Sequence, residues 1–234
     1  MATFVLVHGA WGGAHGFRHV RAGLRAAGHE VFTPSLTGIG ERVHLVSPQV
    51  GLTTHVTDVV NHVLYEDLHG VVLLGFSYGG MVVSGALEHI GDRVASLVFL
   101  DAFVPDDGDS AFGLLGHPGA EPPAPGRPWL LDGPQRAYDD PAEEAFAVPR
   151  RTPQPIRTFT EPVRLPRPLE DYPFPRTYVR ATVPDPGASG NAAFEAAAAR
   201  ARASAAWDYR EIATTHLVAQ NRPGELVELL LSLV

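Results

Sequence analysis

The sequence predicts an α/β protein, a mostly parallel β-sheet covered by helices on both faces. Three observations predict it. Short β-branched or apolar runs alternate with longer helical patterns along most of the chain, which is the rhythm of βαβ units. Each apolar run is short and bounded by turn residues. The segments between them carry apolar residues at roughly 3.6 spacing, as helices with one buried face do.

In chain order the predicted strands are Phe4 to Val7, Glu30 to Thr33, Val71 to Gly75, Ala95 to Leu100, Arg176 to Ala181 and Trp207 to Ile212. The predicted helices are Phe17 to Ala27, Thr54 to Asp67, Tyr78 to Ile90, Asn191 to Ala205 and Gly224 to Leu233. Gly28 and Gly91 sit just past helical patterns, where a left-handed cap favours glycine, and Pro223 suits a first helical turn. The Ala-rich run from Ala192 to Ala206 is a helix built from the best helix former. Residues 105–175 depart from this rhythm. They hold most of the 21 prolines and little periodicity beyond Pro141 to Ala147, so they are expected to be a cap inserted between two strands. A surface loop without fixed structure is the competing reading.

A chain of 234 residues with 45% hydrophobic and 19% charged residues fits one globular domain able to bury a core without staples. The formal charge of −8 argues against nucleic acid or anionic lipid as partner. Every basic residue is Arg, which carries no functional weight. With no Cys, disulfides, thiolate nucleophiles and Cys-ligated metals drop out. No apolar run approaches the roughly 20 residues of a membrane span. The N-terminus runs straight into a strand without a signal-peptide pattern, so a cytoplasmic protein is expected.

The chemistry concentrates at Gly75-Phe76-Ser77-Tyr78-Gly79-Gly80, between the apolar run Val71 to Leu74 and the helical pattern from Met81. This is a G-x-S-x-G nucleophile elbow in its required strand-turn-helix context; the alternative is a plain glycine-rich turn. Positions without Cβ let the backbone bend sharply and project the Ser77 hydroxyl. A serine hydroxyl needs a base, usually His. In proteins built on such an elbow the order is Ser, acid, His. His216 is the only His beyond residue 117 among eleven, and it follows the last predicted strand. The other ten are expected at the surface, in caps or in pocket walls. His8-Gly9-Ala10-Trp11-Gly12-Gly13 follows the first strand and nominates the Ala10 amide, together with that of Tyr78, for an oxyanion hole. Two carboxylates are usable as the acid. Asp101 abuts its strand, whereas Asp185 lies between two prolines four residues beyond its own; Asp101 is preferred as the more rigidly held. Trp11, Phe76, Phe103 and Trp129, with Tyr78, are candidate aromatic walls for an apolar or aromatic substrate part, and equally candidate core residues.

These segments resemble bacterial α/β-hydrolases related to the plant methylesterase and hydroxynitrile lyase family. The resemblance rests on FVLVHGAWGG from Phe4, PSLTGIGERVHL from Pro34, LTTHVTDVV from Leu52, VVLLGFSYGGM from Val71 and LVFLDAFVPDDG from Leu97. It implies the α/β-hydrolase fold with an eight-stranded sheet, a small cap, no cofactor or metal, and hydrolysis of a carboxylic ester, small or aromatic and methyl-ester-like. Phe76 stands where the family often has His, and His216-Leu217-Val218-Ala219 replaces H-D-x-M. The plant members' acid falls near Asp185 but about one residue out of register. Gly9 and Leu217 replace the Thr and Lys of the hydroxynitrile lyases, which argues against cyanohydrin chemistry. Two other classes stay open: a cyclase, dehydratase or lyase using the same pocket, and a non-catalytic small-molecule receptor.

Overall fold

The computed structural model describes residues 1–117, 129–185 and 191–234. In order, the chain forms β1 (Thr3–Val7), α1 (Arg18–Ala26), β2 (Glu30–Phe32), α2 (Leu52–Tyr65), β3 (Val71–Phe76), α3 (Gly79–Ile90) and β4 (Val94–Leu100). The segment that follows contains α4 (Ala111–Leu114), β5 (Leu130–Leu131), α5 (Pro141–Ala147), β6 (Gln154–Pro155) and α6 (Arg157–Thr160). The chain then returns through β7 (Arg176–Ala181), α7 (Asn191–Ala203), β8 (Asp208–Ile212), α8 (Val218–Asn221) and α9 (Pro223–Leu231).

The main sheet runs β2-β1-β3-β4-β7-β8, and all its pairings are parallel. Its six strands are the six predicted from the residues. The eight-stranded sheet implied by family resemblance is not found among the described residues: β5 and β6 pair only with each other, antiparallel and two residues long. Pro155, which has no N–H to donate, leaves little room to extend that ladder.

The period-2 geometry of the strands divides the core into two layers. Val5, Val7, Val71, Leu73, Leu97 and Phe99 face α2 and α3. Phe4, Leu6, Val72, Leu74, Val98 and Leu100 face α1 and α9. Each fully buried aliphatic side chain of this kind contributes roughly 1.5–3 kcal/mol. β3 is buried at every residue because it is central in the sheet and covered on both faces, so the elbow at its end has a rigid base.

Gly28 takes the predicted left-handed conformation, at φ +88°, and Pro223 occupies the first turn of α9. Gly91 does not: its φ is −59°, because a 3-10 turn, Gly91–Arg93, continues the chain. A Cβ there would lie 2.9 Å from the Tyr172 ring, so close packing accounts for this glycine. Among the described residues no helix is long and apolar enough to cross a membrane.

Candidate active site

Ser77 leaves β3 at φ +56°, a conformation that costs a non-glycine residue about 1–3 kcal/mol and persists only where the surroundings impose it. Here they do. Ser77 N–H donates to Leu100 O at 3.2 Å, and Ser77 O accepts from Gly80 N–H at 3.0 Å and Phe103 N–H at 3.2 Å. The bend also packs backbone on backbone: a Cβ on Gly79 would lie 2.6 Å from Val7 O, and one on Gly80 would lie 2.1 Å from Phe103 O. Any side chain at either position would push the elbow off the ends of β1 and β4.

Asp101 directly follows β4 and takes φ +41°, with its N–H donating to Val179 O at 2.7 Å. His216 comes from the turn between β8 and α8. The three side chains meet in one row: His216 Nε2 lies 2.9 Å from Ser77 Oγ, and His216 Nδ1 lies 2.7 Å from Asp101 Oδ2. With the proton on Nδ1 donated to the carboxylate, Nε2 accepts from the serine hydroxyl. All three are buried: Ser77 is 8% exposed, His216 6% and Asp101 1%.

The imidazole is held between aromatic faces, with Phe76 at 4.8 Å and Phe194 stacked at 5.0 Å. Burial pushes its pKa below the ordinary value of 6.5, and Asp101 opposes that shift. The ring is therefore neutral, and able to accept a proton, at neutral pH. The other carboxylate oxygen, Oδ1, accepts from the Arg180 guanidinium and from Ala181 N–H at 3.2 Å. Burial works against the charge on Arg180, but Asp101 and Glu195 outweigh it and raise its pKa. Asp101 thus has one oxygen occupied and one aimed at the imidazole.

Asp185 lies elsewhere. Its Oδ2 accepts from Arg136 Nη1 at 2.5 Å, and both side chains are almost fully buried. That ion pair ties the turn after β7 to the segment between β4 and β7.

The turn after β1 is anchored by His8, whose Nε2 accepts Leu36 N–H at 3.1 Å and whose Nδ1 lies 2.8 Å from Gly9 O. Burial drops its pKa to about 4, so it serves this turn as a neutral ring. Among the described residues no acceptor meets the Ala10 or Tyr78 amides. Trp11, at φ +59°, is tied to the segment between β4 and β7: its amide donates to Gln154 Oε1 at 3.1 Å and its indole N–H to Leu131 O at 2.8 Å.

These groups border a cavity lined by Ala10, Trp11, Phe76, Ser77, Tyr138, Ala147, His216 and Leu217, among others. Phe103 and Trp129 do not line it. Phe103 packs at 5.0 Å on Phe194, and the Trp129 carbonyl accepts from Ile156 N–H at 2.9 Å. The Tyr78 ring also turns away, stacked on Phe159 with its hydroxyl 3.0 Å from His55 Nδ1. His55 donates from Nε2 to Thr37 O, so Nδ1 accepts from Tyr78. No cluster of three His, Asp or Glu side chains that could hold a metal is present among the described residues.

Arg180, Phe194, Gln154, Arg136, Tyr138 and Arg151 were not anticipated. Arg180 left a signal, a charge inside the otherwise buried strand RTYVRA, where an ionised group needs a partner. The residues from 130–155 left none, because their segment has no period to read.

Fold and site together define an α/β protein with a serine at a nucleophile elbow, backed by a buried imidazole and carboxylate. Residues 4–229 match the model of the alpha/beta hydrolase family, and the chain belongs to that family. Its fold is shared at a TM-score of 0.77 and 23% identity by an extracellular alpha/beta-hydrolase from a Paenibacillus species, covering 100% of this chain and 99% of that one. A methylesterase from Arabidopsis matches equally, over 99% and 98% of the two chains. In sequence, the chain is 52% identical over 123 residues to a carbendazim hydrolyzing esterase of Nocardioides sp. (strain SG-4G), 53% of this chain and 50% of that one. It is 30% identical over 131 residues to methylesterase 1 of Arabidopsis thaliana, 51% of this chain and 46% of that one. These matches span about half the length of each curated relative.

Proposed function

We propose that the chain is a serine hydrolase of the carboxylesterase type that cleaves carboxylic esters through an acyl-enzyme on Ser77. The observation that supports this most directly is the hydrogen-bonded row from Ser77 Oγ through His216 to Asp101, opening on a cavity. The esterases among its relatives point the same way.

As Ser77 Oγ attacks the ester carbonyl, His216 Nε2 takes its proton, and Asp101 holds the imidazolium that forms. Negative charge builds on the former carbonyl oxygen beside the Ala10 and Tyr78 amides, at the start of α3 where the helix dipole also favours it. His216 then returns the proton to the departing alkoxide, leaving the acyl group on Ser77. Water, deprotonated by the same imidazole, attacks the acyl carbon; the acid departs and Ser77 regains its proton. The reaction uses no cofactor, and its partner is a small-molecule ester. Walls of Trp11, Phe17, Phe76 and Leu217 suit a small or aromatic ester with a compact alcohol part such as methyl.

Turnover of short p-nitrophenyl esters by wild type and Ser77→Ala tests the proposal. The variant is expected to lose roughly 10⁴–10⁶-fold in kcat. Equal turnover by the two proteins refutes it.

A further inference from the structure

The wall of the Ser77 cavity carries two guanidiniums, Arg136 and Arg151, and among the described residues no carboxylate. Arg136 is neutralised from behind by Asp185. Arg151 has no such counterion: among the described residues no Asp or Glu oxygen comes within ion-pair distance of it. It is partly buried, and burial is the largest influence on it, acting against its charge. An arginine does not shed its proton at working pH, so the cavity presents a partly desolvated cation with a planar fork of N–H donors.

Its position is confined. A Cβ on Gly133 would lie 2.5 Å from Arg151 Nη2 and 2.8 Å from Trp11 Cγ, so the guanidinium is seated on bare backbone beside the indole. Trp11, Arg136 and Arg151 also border an outer cleft that has Asp132 and Glu144 on its walls. The sign of the charged lining therefore changes from mixed outside to purely cationic inside. A desolvated guanidinium of this kind gains most from a planar anion that it can meet with two parallel hydrogen bonds.

We propose that Arg151 is a specificity-determining residue that binds a carboxylate on the substrate, so that the preferred substrates are esters that also carry a free carboxylate. This rests on the serine-hydrolase reading above. The neighbouring Arg136 adds to the attraction without supplying an unneutralised charge.

Two matched pairs of esters test it: methyl benzoate against methyl 4-carboxybenzoate, and phenyl acetate against 4-carboxyphenyl acetate. They place the carboxylate on the acyl and alcohol sides in turn. In at least one pair the wild type is expected to favour the carboxylated ester by about tenfold or more in kcat/KM, carried by KM, as a charge-assisted contact supplies. Arg151→Gln should erase that ratio and Arg151→Lys keep part of it, with thermal melts confirming that both variants are folded. No preference in either pair, or a preference that survives Arg151→Gln, overturns the proposal. If wild type cleaves none of the four esters, the serine-hydrolase reading fails instead, and calorimetry with terephthalate and benzoate decides the arginine's role. Tighter binding of terephthalate by about tenfold, lost in Arg151→Gln, supports it, and equal binding of the two acids overturns it.

Discussion

Replacing Asp101 with Asn tests the site at its least replaceable atom. Oδ1 of Asp101 accepts from Arg180 and from Ala181 N–H, and both partners are donors only. In the variant the amide oxygen must therefore occupy that position, which turns the NH₂ group toward His216 Nδ1. Nδ1 can then only accept, the imidazole proton moves to Nε2, and Nε2 faces Ser77 Oγ as a donor instead of a base. The geometry is preserved and the tautomer is inverted. A loss of about 10⁴ in kcat is expected from such an inversion, or about 5.5 kcal/mol of transition-state stabilisation. Arg180 keeps Glu195 at 2.5 Å, so the fold should survive at a cost of about 1–3 kcal/mol. The assay is steady-state hydrolysis of p-nitrophenyl acetate beside a thermal melt, with Asp185→Asn in parallel. Asp185 bonds Arg136 and not the imidazole, so its variant should keep kcat within about tenfold while losing stability. A folded Asp101→Asn protein retaining more than a tenth of wild-type kcat, or the larger loss falling on Asp185→Asn, refutes the reasoning.

Further outcomes follow from the same contacts. Because burial holds the His216 pKa below 6.5, activity should be flat at neutral pH and fall as pH drops through that depressed value. A kcat/KM profile with its acid limb at pH 7 or above would contradict this. His8 and His55 are buried as neutral rings with pKa values lowered from 6.5 to about 4. The unfolded chain takes up their protons first, so the stability they permit is complete above pH 6.5 and is lost as pH falls toward 4. Each contributes roughly 3 kcal/mol to that loss. Urea melts between pH 7 and 4.5 should show it, with a shallower dependence in His55→Gln. Gly80→Ala, whose methyl would meet Phe103 O at 2.1 Å, should cost at least about 1–3 kcal/mol and most of the activity. Gly224→Ala, with no atom within 4 Å, should leave the melting temperature unchanged or slightly raised; comparable losses in the two would sink the packing argument.

Much of this protein was legible along the chain, because the relevant signals are local. Six strands, the elbow and its glycines are written in runs of a few residues whose periodicity and turn chemistry read without long-range information. His216 was legible by elimination, as the only late histidine. Asp101 is preferred over Asp185 on its rigidity and because Asp185 is out of register with the family's acid, and strand position does not decide between them.

What brings Asp101 and not Asp185 to the imidazole is a non-local fact. β4 lies between β3 and β7, so the residue after Leu100 emerges beside Ser77. The pairing of Leu100 with Val179 brings Arg180 next to Asp101. Asp185, four residues past its strand, is instead drawn to a guanidinium from an aperiodic segment whose docking no spacing foretells. Chain-local propensities determine which elements form and which residues can bend, accept or attack. Strand order and register are chosen by burying both faces of one sheet at once, and that choice alone determines which carboxylate meets the imidazole and which arginines face the cavity.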